Sequence, residues 1–362
     1  MIRSWIKTGA AGVLSRTGMD RAVGTLAGSN HQAVVIGYHR VVEDFASAAR
    51  TSIPSMLVSR QMLERHLDWI GRRFRFVSLD ELGARLDGTD TSIAPIAAIT
   101  FDDGYRDFYD HAFPVLKRKG IPAAVFIVTG LVGTTEIQVH DKLYLLLARR
   151  AARFAGLENF EHLLRDLGVP VQSVGGAGTY EVTRTLIEML SQEELRRVLA
   201  VLESESPIPE STWKPFYSMT WEMLASACRG GVTVGSHTRT HVLITNESAA
   251  RTAAELRESR HEIEARLGTE ARHFAYPSGQ FNTRAVKAVA DAGYRFGYTV
   301  CSHRDPAFPR LTVSRTLLWQ NSCGDYRGRF SGSILSCQIH RAFEAVSGCR
   351  QRHRGGGERT YG

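Results

Sequence analysis

Two short segments of this chain combine carboxylate and imidazole side chains, the groups that bind divalent metals and move protons. One segment reads TFDDG and places Asp102 and Asp103 at the end of an apolar run, and the other reads SHTRTH and places His237 and His241 after another. Alone, the first segment is equally typical of a solvated turn, and the second of two unrelated surface or core histidines. Because both follow predicted strands of one sheet, together they predict a metal site with a spare carboxylate beside it, as in a metallohydrolase.

The elements that must position these side chains are short apolar strands that alternate with helices. Strands are predicted over residues 34–38, 96–101, 123–128, 231–235, 272–276, 294–300 and 311–314. Between them, Ser59, Ser78 and Asn282 are predicted to cap helices. This alternation predicts an α/β fold, an incomplete (β/α)7 barrel of parallel strands with right-handed crossovers. In such folds the chemistry lies at the carboxyl ends of the strands, where both segments fall.

A helical insertion interrupts this alternation between about residues 133 and 218. Helices are predicted over 140–154 and 184–203, although a capping-box match at Ser191 allows the second helix to begin there instead. We therefore expect an N-terminal helical segment over 1–30, a barrel with its insertion over 31–320, and a basic, partly disordered tail over 321–362.

Composition and charge narrow the classes of function. The 362 residues are 43% hydrophobic and 23% charged, which is typical of a globular protein with an ample core. The net charge is +8, and part of it lies in a glycine-rich tail that carries Arg350, Arg352, Arg354 and Arg359. We interpret this tail as a solvated segment, with attraction to an anionic membrane surface or an acidic glycan as the alternative. No spacing typical of a nucleic-acid-binding module is present, so we expect no nucleic-acid partner.

The N-terminus indicates no clear export signal. Glycines and charges interrupt any apolar stretch that follows Arg3 and Lys7, and no segment is apolar enough to span a bilayer. We therefore expect a cytoplasmic or membrane-peripheral protein. A short amphipathic helix is predicted here. Its apolar face either docks on the protein itself or makes a peripheral contact with a membrane. Its residues are Ile2, Trp5, Ile6, Val13 and Leu14.

The chain resembles the polysaccharide deacetylase family, also called the NodB homology domain or carbohydrate esterase family 4, from about residue 34 to 315 with the insertion excepted. The segment TFDDG fits the first family motif, HTRTH fits the second, and AYPSG over 275–279 corresponds to the third. The resemblance implies that Asp103, His237 and His241 hold a divalent metal and that Asp102 is the general base. Family members use zinc or a similar metal, and this ligand set does not choose among Zn²⁺, Co²⁺, Ni²⁺, Fe²⁺ and Mn²⁺.

The third motif departs from the family pattern. The resemblance implies that the backbone amide of Ser278 stabilises the oxyanion, within a substrate-binding turn that includes Tyr276 and Pro277. The Arg that usually begins this motif and pairs with the base is replaced by Ala275, and the usual aromatic residue before its glycine is Ser278. The late Leu-x-His segment that normally carries the general acid has no clean match after Leu311.

The general acid is predicted from the first strand instead. Tyr38 and His39 follow that strand, and the resemblance is closest to the branch of poly-N-acetylglucosamine deacetylases, in which an early Tyr-His pair is thought to supply the acid. We predict that His39 protonates the leaving amine. One alternative is that His39 is only hydrogen-bonded to a neighbouring backbone group. His303 is the second candidate for the acid.

The resemblance thus implies a metal-dependent hydrolase that removes N-acetyl groups from N-acetylhexosamine units of a polysaccharide or a lipid-linked glycan precursor. Two alternatives remain open. The same site is suited to another non-peptide amide, such as a ureide or a formamide. The departures from the family motifs are also compatible with a catalytically impaired glycan-binding protein. The sequence does not indicate the oligomeric state.

Overall fold

The computed structural model describes residues 2–26, 32–154, 160–166, 178–343 and 353. Its strands are β1 (Ala33–Tyr38), β2 (Arg40–Val42), β3 (Leu57–Ser59), β4 (Arg75–Phe76), β5 (Ile96–Phe101), β6 (Ala123–Ile127), β7 (Val232–Ser236), β8 (His273–Ala275), β9 (Phe296–Thr299), β10 (Val313–Ser314) and β11 (Thr316–Leu317). The α-helices are α1 (Ile2–Thr17), α2 (Met19–Leu26), α3 (Phe45–Ala48), α4 (Arg60–Gly71), α5 (Leu79–Leu86), α6 (Phe113–Lys119), α7 (Val139–Arg153), α8 (Phe160–Asp166), α9 (Thr179–Met189), α10 (Gln192–Glu205), α11 (Glu210–Trp213), α12 (Trp221–Arg229), α13 (Ala249–Leu267), α14 (Thr283–Asp291) and α15 (Gly332–Ile339).

The main sheet is parallel throughout, in the order β10-β9-β8-β7-β6-β5-β1-β11, and β4 also pairs with β5. Every residue of β5 and of β6 is buried, as expected where helices cover a parallel sheet. The seven predicted strands all belong to this sheet, which is nearly closed, and the prediction of an incomplete (β/α)7 barrel is confirmed. Two short strands of this sheet were not predicted: β11, which lies beside β1, and β4, which pairs with β5.

A single residue connects the two outer strands of this sheet. β10 pairs with β9 at one edge, and β11 pairs with β1 at the other. Arg315 lies between them, and its backbone N–H donates to Thr299 of β9 at 2.9 Å. Three positions later, the N–H of Leu318 donates to the backbone oxygen of Gly37 of β1 at 2.8 Å. The chain therefore crosses directly from one sheet edge to the other, and Arg315 occupies the crossing.

The predicted helix caps are present in the structure. The side chain of Ser59 accepts from Met62 N at the start of α4, and that of Asn282 accepts from Ala285 N at the start of α14. Ser78 and Glu81 form a reciprocal capping box on α5. These local bonds begin each helix where the sequence predicts it, because they satisfy N–H groups that have no partner inside the helix.

The insertion is a helical layer with its own apolar core. The second predicted helix is two helices, α9 and α10, because Leu190 is extended and Ser191 caps α10 with a capping box, as the sequence alternative allowed. Side chains of α7, α8, α9 and α10 pack together, among them Leu146, Phe160, Leu186 and Val198. This packing anchors the first turn of α7, which lies beside the motif residues described below.

Helix α1 docks on α15, where Ala11 and Leu14 pack with Ile334 and Cys337. This agrees with the predicted docking of the N-terminal helix on the protein itself. Three apolar side chains of α1 stay largely exposed: Trp5 is 55%, Ile6 65% and Val13 61% exposed, although the ring of Trp5 stacks on that of Tyr326 at 3.6 Å. In the parts of the chain that the structure describes, no helix is long and apolar enough to cross a membrane.

Helix α15 belongs to the segment predicted as the C-terminal tail, so the described part of that segment, up to residue 343, is packed structure. The four arginines singled out in the tail lie outside the described residues. The predicted division of the chain at residues 30 and 320 stays a prediction.

Candidate active site

The two carboxylates of the first segment stand directly after β5. Asp102 and Asp103 are 3% and 1% exposed. The backbone turns sharply here, because Asp103 has φ 70° and Gly104 has φ 72°. A Cβ at Gly104 would lie 3.0 Å from Ile127 Cγ2, so glycine serves both the left-handed conformation and the close approach to β6. The turn directs both acidic side chains into the end of the barrel.

The histidine segment is a tight loop after β7 and not a helical turn. Thr238 and His241 have positive φ values of 67° and 60°. Glu255 of α13, which is 2% exposed, holds the loop by accepting from the backbone N–H groups of Arg239 and Thr240 at 2.9 and 2.8 Å. Strained left-handed residues persist only where their surroundings fix them, and here the buried carboxylate does so.

The structure brings the three predicted metal ligands together. Asp103 Oδ1 lies 3.6 Å from His237 Nε2 and 3.3 Å from His241 Nε2. These three side chains present their ligand atoms within 4.8 Å of one another. Bonds of about 2.0–2.1 Å in a tetrahedral zinc site separate neighbouring ligands by about 3.3 Å, which is close to these distances.

Two further observations show that this set fits a divalent metal. Both carboxylate oxygens of Asp103 are buried and have no hydrogen-bond partner among the described atoms, which is costly unless a cation faces them. His237 Nδ1 donates to the backbone oxygen of Ala275 at 2.7 Å, which leaves the lone pair on Nε2, the nitrogen that faces Asp103. Burial lowers the pKa of His237 to about 4, so its imidazole is neutral near pH 7 and suited to ligation.

Arg315 is the charge partner of Asp102. Its Nη1 and Nη2 donate to Asp102 Oδ1 and Oδ2 at 2.6 and 2.8 Å, and Nη1 also donates to Thr100 Oγ1 at 3.2 Å. Burial alone would raise the pKa of Asp102, but the charge of Arg315 and its hydrogen bonds hold this pKa below its ordinary value. Arg315 thus pairs with Asp102, the residue that the family resemblance expects to be paired with an Arg at the position of Ala275. Sequence analysis missed it, although its place directly after a predicted strand was a usable signal.

His39 lies at the same end of the barrel, directly after β1. Its Nε2 is 4.0 Å from Asp102 Oδ2, and its side chain is 20% exposed, so solvent and substrate can reach it. His303 is placed differently: its ring stacks on that of His353 at 4.2 Å, beside Phe281. Of the two predicted candidates for the general acid, His39 is therefore the one with a described contact to Asp102.

The third segment forms a turn with unusual backbone geometry. Ser278 and Gly279 have φ values of 53° and 63°, and a Cβ at Gly279 would lie 2.3 Å from a methyl carbon of Val300. Tyr276 and Pro277 are buried, whereas Ser278 is exposed. A substrate can therefore reach the turn at Ser278, while Tyr276 packs its ring against Phe274 and Phe281 in the core.

The insertion contributes one side chain that sequence analysis did not single out. His140, in the first turn of α7, is 8% exposed, and its ring lies 5.0 Å from the ring of His241. Burial lowers the pKa of His140 to about 3. In sequence it is an isolated histidine at the start of a helix, with no strand before it and no motif around it, so no local signal could have found it.

The fold and this site define a protein with a candidate metal site at the end of a parallel barrel, and a comparison with family models identifies the family. The model described as polysaccharide deacetylase matches residues 90–151 and 176–297, about half of the chain. The chain belongs to the polysaccharide deacetylase family. The gap between the two matched ranges falls within the helical insertion. The match includes both flanks of the insertion, and it does not extend to residues 34–89 or 298–315 of the resemblance seen in the sequence.

Curated relatives match part of the chain. A poly-beta-1,6-N-acetyl-D-glucosamine N-deacetylase of Staphylococcus epidermidis is 30% identical over 149 residues, which cover 38% of this chain and 50% of the relative. The protein of the same name from Staphylococcus aureus is 29% identical over 147 residues, which cover 38% and 49%. The chain thus spans about half the length of the curated relatives that it matches.

Solved structures share the fold at low sequence identity. The deacetylase PplD of Streptococcus pyogenes, in complex with acetate, aligns with a TM-score of 0.53 and 16% identity over 85% of this chain and 97% of that one. IcaB from Ammonifex degensii aligns with a TM-score of 0.52 and 20% identity over 86% and 98%. These alignments support the barrel architecture.

Proposed function

We propose that this protein is a metal-dependent N-deacetylase that removes acetyl groups from N-acetylhexosamine units of a glycan and releases acetate. The observation that carries the proposal is that two adjacent carboxylates have different partners. Asp102 is bound by a guanidinium, whereas Asp103 faces two imidazoles. In the hydrolysis of an amide at a metal site, one such carboxylate can hold the cation while the other accepts the proton.

Asp103, His237 and His241 would hold the metal, with Zn²⁺ expected first and Co²⁺, Ni²⁺, Fe²⁺ or Mn²⁺ also compatible with the ligand set. When bound, such a metal acts as a Lewis acid toward the acetyl carbonyl and lowers the pKa of a water molecule. The backbone oxygen of Ala275 keeps His237 in the tautomer that this role requires.

Asp102 is proposed as the general base. Because Arg315 keeps the pKa of Asp102 low, the carboxylate is ionised near pH 7 and able to accept a proton. The attacking water gives that proton to Asp102 as its oxygen forms a bond to the acetyl carbon. Arg315 also holds both carboxylate oxygens in place, so little reorganisation is needed during the step.

His39 is proposed as the general acid, and Ser278 as the oxyanion donor. His39 lies 4.0 Å from Asp102, so base and acid face one reaction centre. In its protonated form His39 gives a proton to the leaving nitrogen as the C–N bond breaks, which yields a free amine and acetate. The exposed turn at Ser278 offers its backbone N–H to the oxygen that gains charge, with Tyr276 and Pro277 as its rigid buried support.

The proposed substrate is a poly-N-acetylglucosamine-type polysaccharide or a lipid-linked precursor of it. The support is the printed name of the Staphylococcus relatives, together with family membership. We further propose a cytoplasmic or membrane-peripheral location. Trp5, Ile6 and Val13, exposed on α1, are suited to peripheral contact with a membrane. The loss of an Arg at Ala275 no longer favours a catalytically impaired protein, because Arg315 pairs with the base.

Acetate release from N-acetylglucosamine oligomers by the purified, metal-loaded chain tests the proposal. Asp102→Asn should abolish release while metal content stays at the wild-type level, since Asp102 is bound by Arg315 and not assigned to the metal. No acetate with any of the five metals would exclude the deacetylase. Turnover of small ureides or formamides without turnover of sugars would favour the other hydrolase, and glycan binding without turnover would favour a binding protein.

A further inference from the structure

The insertion reaches the metal site through the start of α7. Gln138, which precedes this helix, donates from Nε2 to the backbone oxygen of Asp103 at 3.1 Å. His140, in the first turn, has its Nε2 3.8 Å from Asp103 Oδ2. His237 and His241 face the other oxygen, Oδ1. The two oxygens of the Asp103 carboxylate therefore have different neighbours, and of the two only Oδ1 faces the two histidines of the proposed metal site.

Tyr105 and Asp141 determine which nitrogen of His140 carries the proton. The Tyr105 hydroxyl donates to Asp141 Oδ2 at 2.5 Å and lies 2.8 Å from His140 Nε2. A hydroxyl has one proton, so an oxygen that gives it to the carboxylate must accept the N–H of the imidazole. Nε2 is thus the protonated nitrogen of His140, and it is also the nitrogen that lies nearest to the carboxylate of Asp103.

Asp103 Oδ2 needs a donor that the present arrangement does not give it. Within the described part of the chain, this oxygen is buried and accepts no hydrogen bond. A cation between Oδ1 and the two imidazoles would leave Oδ2 as an anionic acceptor without water or protein to satisfy it, which is unfavourable. At 3.8 Å, His140 Nε2 is too far for a hydrogen bond to Asp103 Oδ2, and its N–H is donated to the Tyr105 hydroxyl at 2.8 Å. A shift of about 1 Å would transfer that N–H from the hydroxyl to Oδ2, while the hydroxyl keeps its own hydrogen bond to Asp141.

We propose that His140 is a positioning residue of the metal centre, whose Nε2–H donates to Asp103 Oδ2 when Oδ1 holds the metal. The hydrogen bond fixes the carboxylate in one orientation and makes the helical insertion a part of the metal site. Partners of this kind orient metal ligands and raise metal affinity. The proposal rests on the metal site of the proposed function and not on the identity of the substrate.

The test is the Zn²⁺ dissociation constant of the full chain, measured by competition with a chromophoric chelator. His140→Leu should weaken Zn²⁺ binding about 10–100-fold. His140→Gln, whose amide nitrogen reaches about as far as Nε2 and donates a proton, should stay within about threefold of wild type. Tyr105→Phe, which removes the hydroxyl that orients His140, should weaken binding at least about threefold.

The matched control is His66→Leu. His66 is a fully buried histidine whose Nδ1 lies 3.3 Å from the hydroxyl of Tyr38, as His140 lies beside that of Tyr105, but it is not in the described metal cluster. This control should lose stability and keep wild-type Zn²⁺ affinity, which separates a general loss of packing from a loss at the metal centre.

Wild-type affinity in folded His140→Leu, or in Tyr105→Phe should the leucine variant not fold, would overturn the proposal. So would His140→Gln binding as weakly as His140→Leu, because the imidazole itself would then be required. A wild-type chain that binds neither Zn²⁺ nor the other four metals would overturn both this inference and the proposed function. If the wild-type chain binds the metal but releases no acetate, only the proposed deacetylase function would be excluded, and the inference about His140 would stand.

Discussion

Arg315 binds both carboxylate oxygens of Asp102, at 2.6 and 2.8 Å, although the two residues lie 213 positions apart in sequence. Arg315 is 1% exposed on its side chain, and Asp102 is 4% exposed. The pair exists because Arg315 occupies the crossing between β10 and β11, which belong to opposite edges of the sheet. The near closure of the barrel therefore places a cation beside the proposed base without the family Arg of the third motif.

Removing this cation should move the pH dependence of catalysis. In Arg315→Met the burial of Asp102 would no longer be opposed by the guanidinium, so the pKa of Asp102 should rise. The base must be ionised, so the acidic limb of kcat/KM should shift to higher pH. The measurement is the pH profile of acetate release.

Arg315→Lys is the matched variant for this prediction. It keeps a positive charge but loses the two-pronged geometry, so we expect a smaller shift of the acidic limb than in Arg315→Met. An unchanged limb in both variants would contradict the role assigned to the pair. Arg315→Met should also destabilise the fold by about 3–5 kcal/mol, since it leaves a buried carboxylate unpaired, and Asp102→Asn in the same chain should restore part of this loss.

Loss of a metal ligand should be visible without any substrate. His241→Ala removes one of three nitrogen and oxygen ligands, and we expect Zn²⁺ affinity to fall by more than about 100-fold, since even outer partners account for 10–100-fold. Chelator competition measures this directly. His303→Ala is the control, because the described contacts of His303 are with His353 and Phe281. Equal losses in both variants would argue against the assigned ligand set.

The choice of His39 as the acid has a kinetic consequence. His39→Ala should lower kcat by about 10²–10⁴-fold, because protonation of the leaving amine would then depend on water. Zn²⁺ affinity should change little, since His39 contacts Asp102 and is not in the metal cluster. Steady-state kinetics beside chelator competition separate the two effects. If His39→Ala keeps the wild-type kcat and His303→Ala loses it, His303 would be the general acid instead.

His66 should make the folding stability depend on pH. Burial lowers its pKa from the ordinary value of 6.5 to about 3, so it is neutral when folded and binds a proton once unfolded below about pH 6.5. Its contribution to stability is therefore present above 6.5 and is lost as pH falls, by about 1.4 kcal/mol per pH unit between 6.5 and 3.

His66→Gln, which does not titrate, should flatten this dependence. Urea midpoints of the two chains between neutral pH and moderately acidic pH measure the difference. His66→Gln keeps a hydrogen-bonding group near Tyr38, so its free energy of unfolding near neutral pH should stay close to that of wild type. The main difference between the two chains should be the slope of this free energy with pH. Parallel pH curves for the two chains would show that His66 does not stay neutral in the fold.

The sequence by itself determined seven strands of the main sheet, the helix starts at three capping residues, and the four motif residues. Apolar runs define buried strands locally, and parallel strands bring their carboxyl ends to one end of a barrel. Asp103, His237 and His241 could therefore be predicted to meet, and His39 could be expected at the same end. Capping at Ser59, Ser78 and Asn282 is likewise local, since each bond joins residues three positions apart.

Only the tertiary structure decided which side chains complete the site. Arg315 finds Asp102 because the two edges of the sheet approach each other across one residue, and no local pattern encodes which charges that crossing brings together. His140 reaches Asp103 because the insertion packs its own core and holds α7 in place. Both partners depend on contacts between segments that are distant in sequence, whereas the motif residues depend on strand ends that the sequence marks locally.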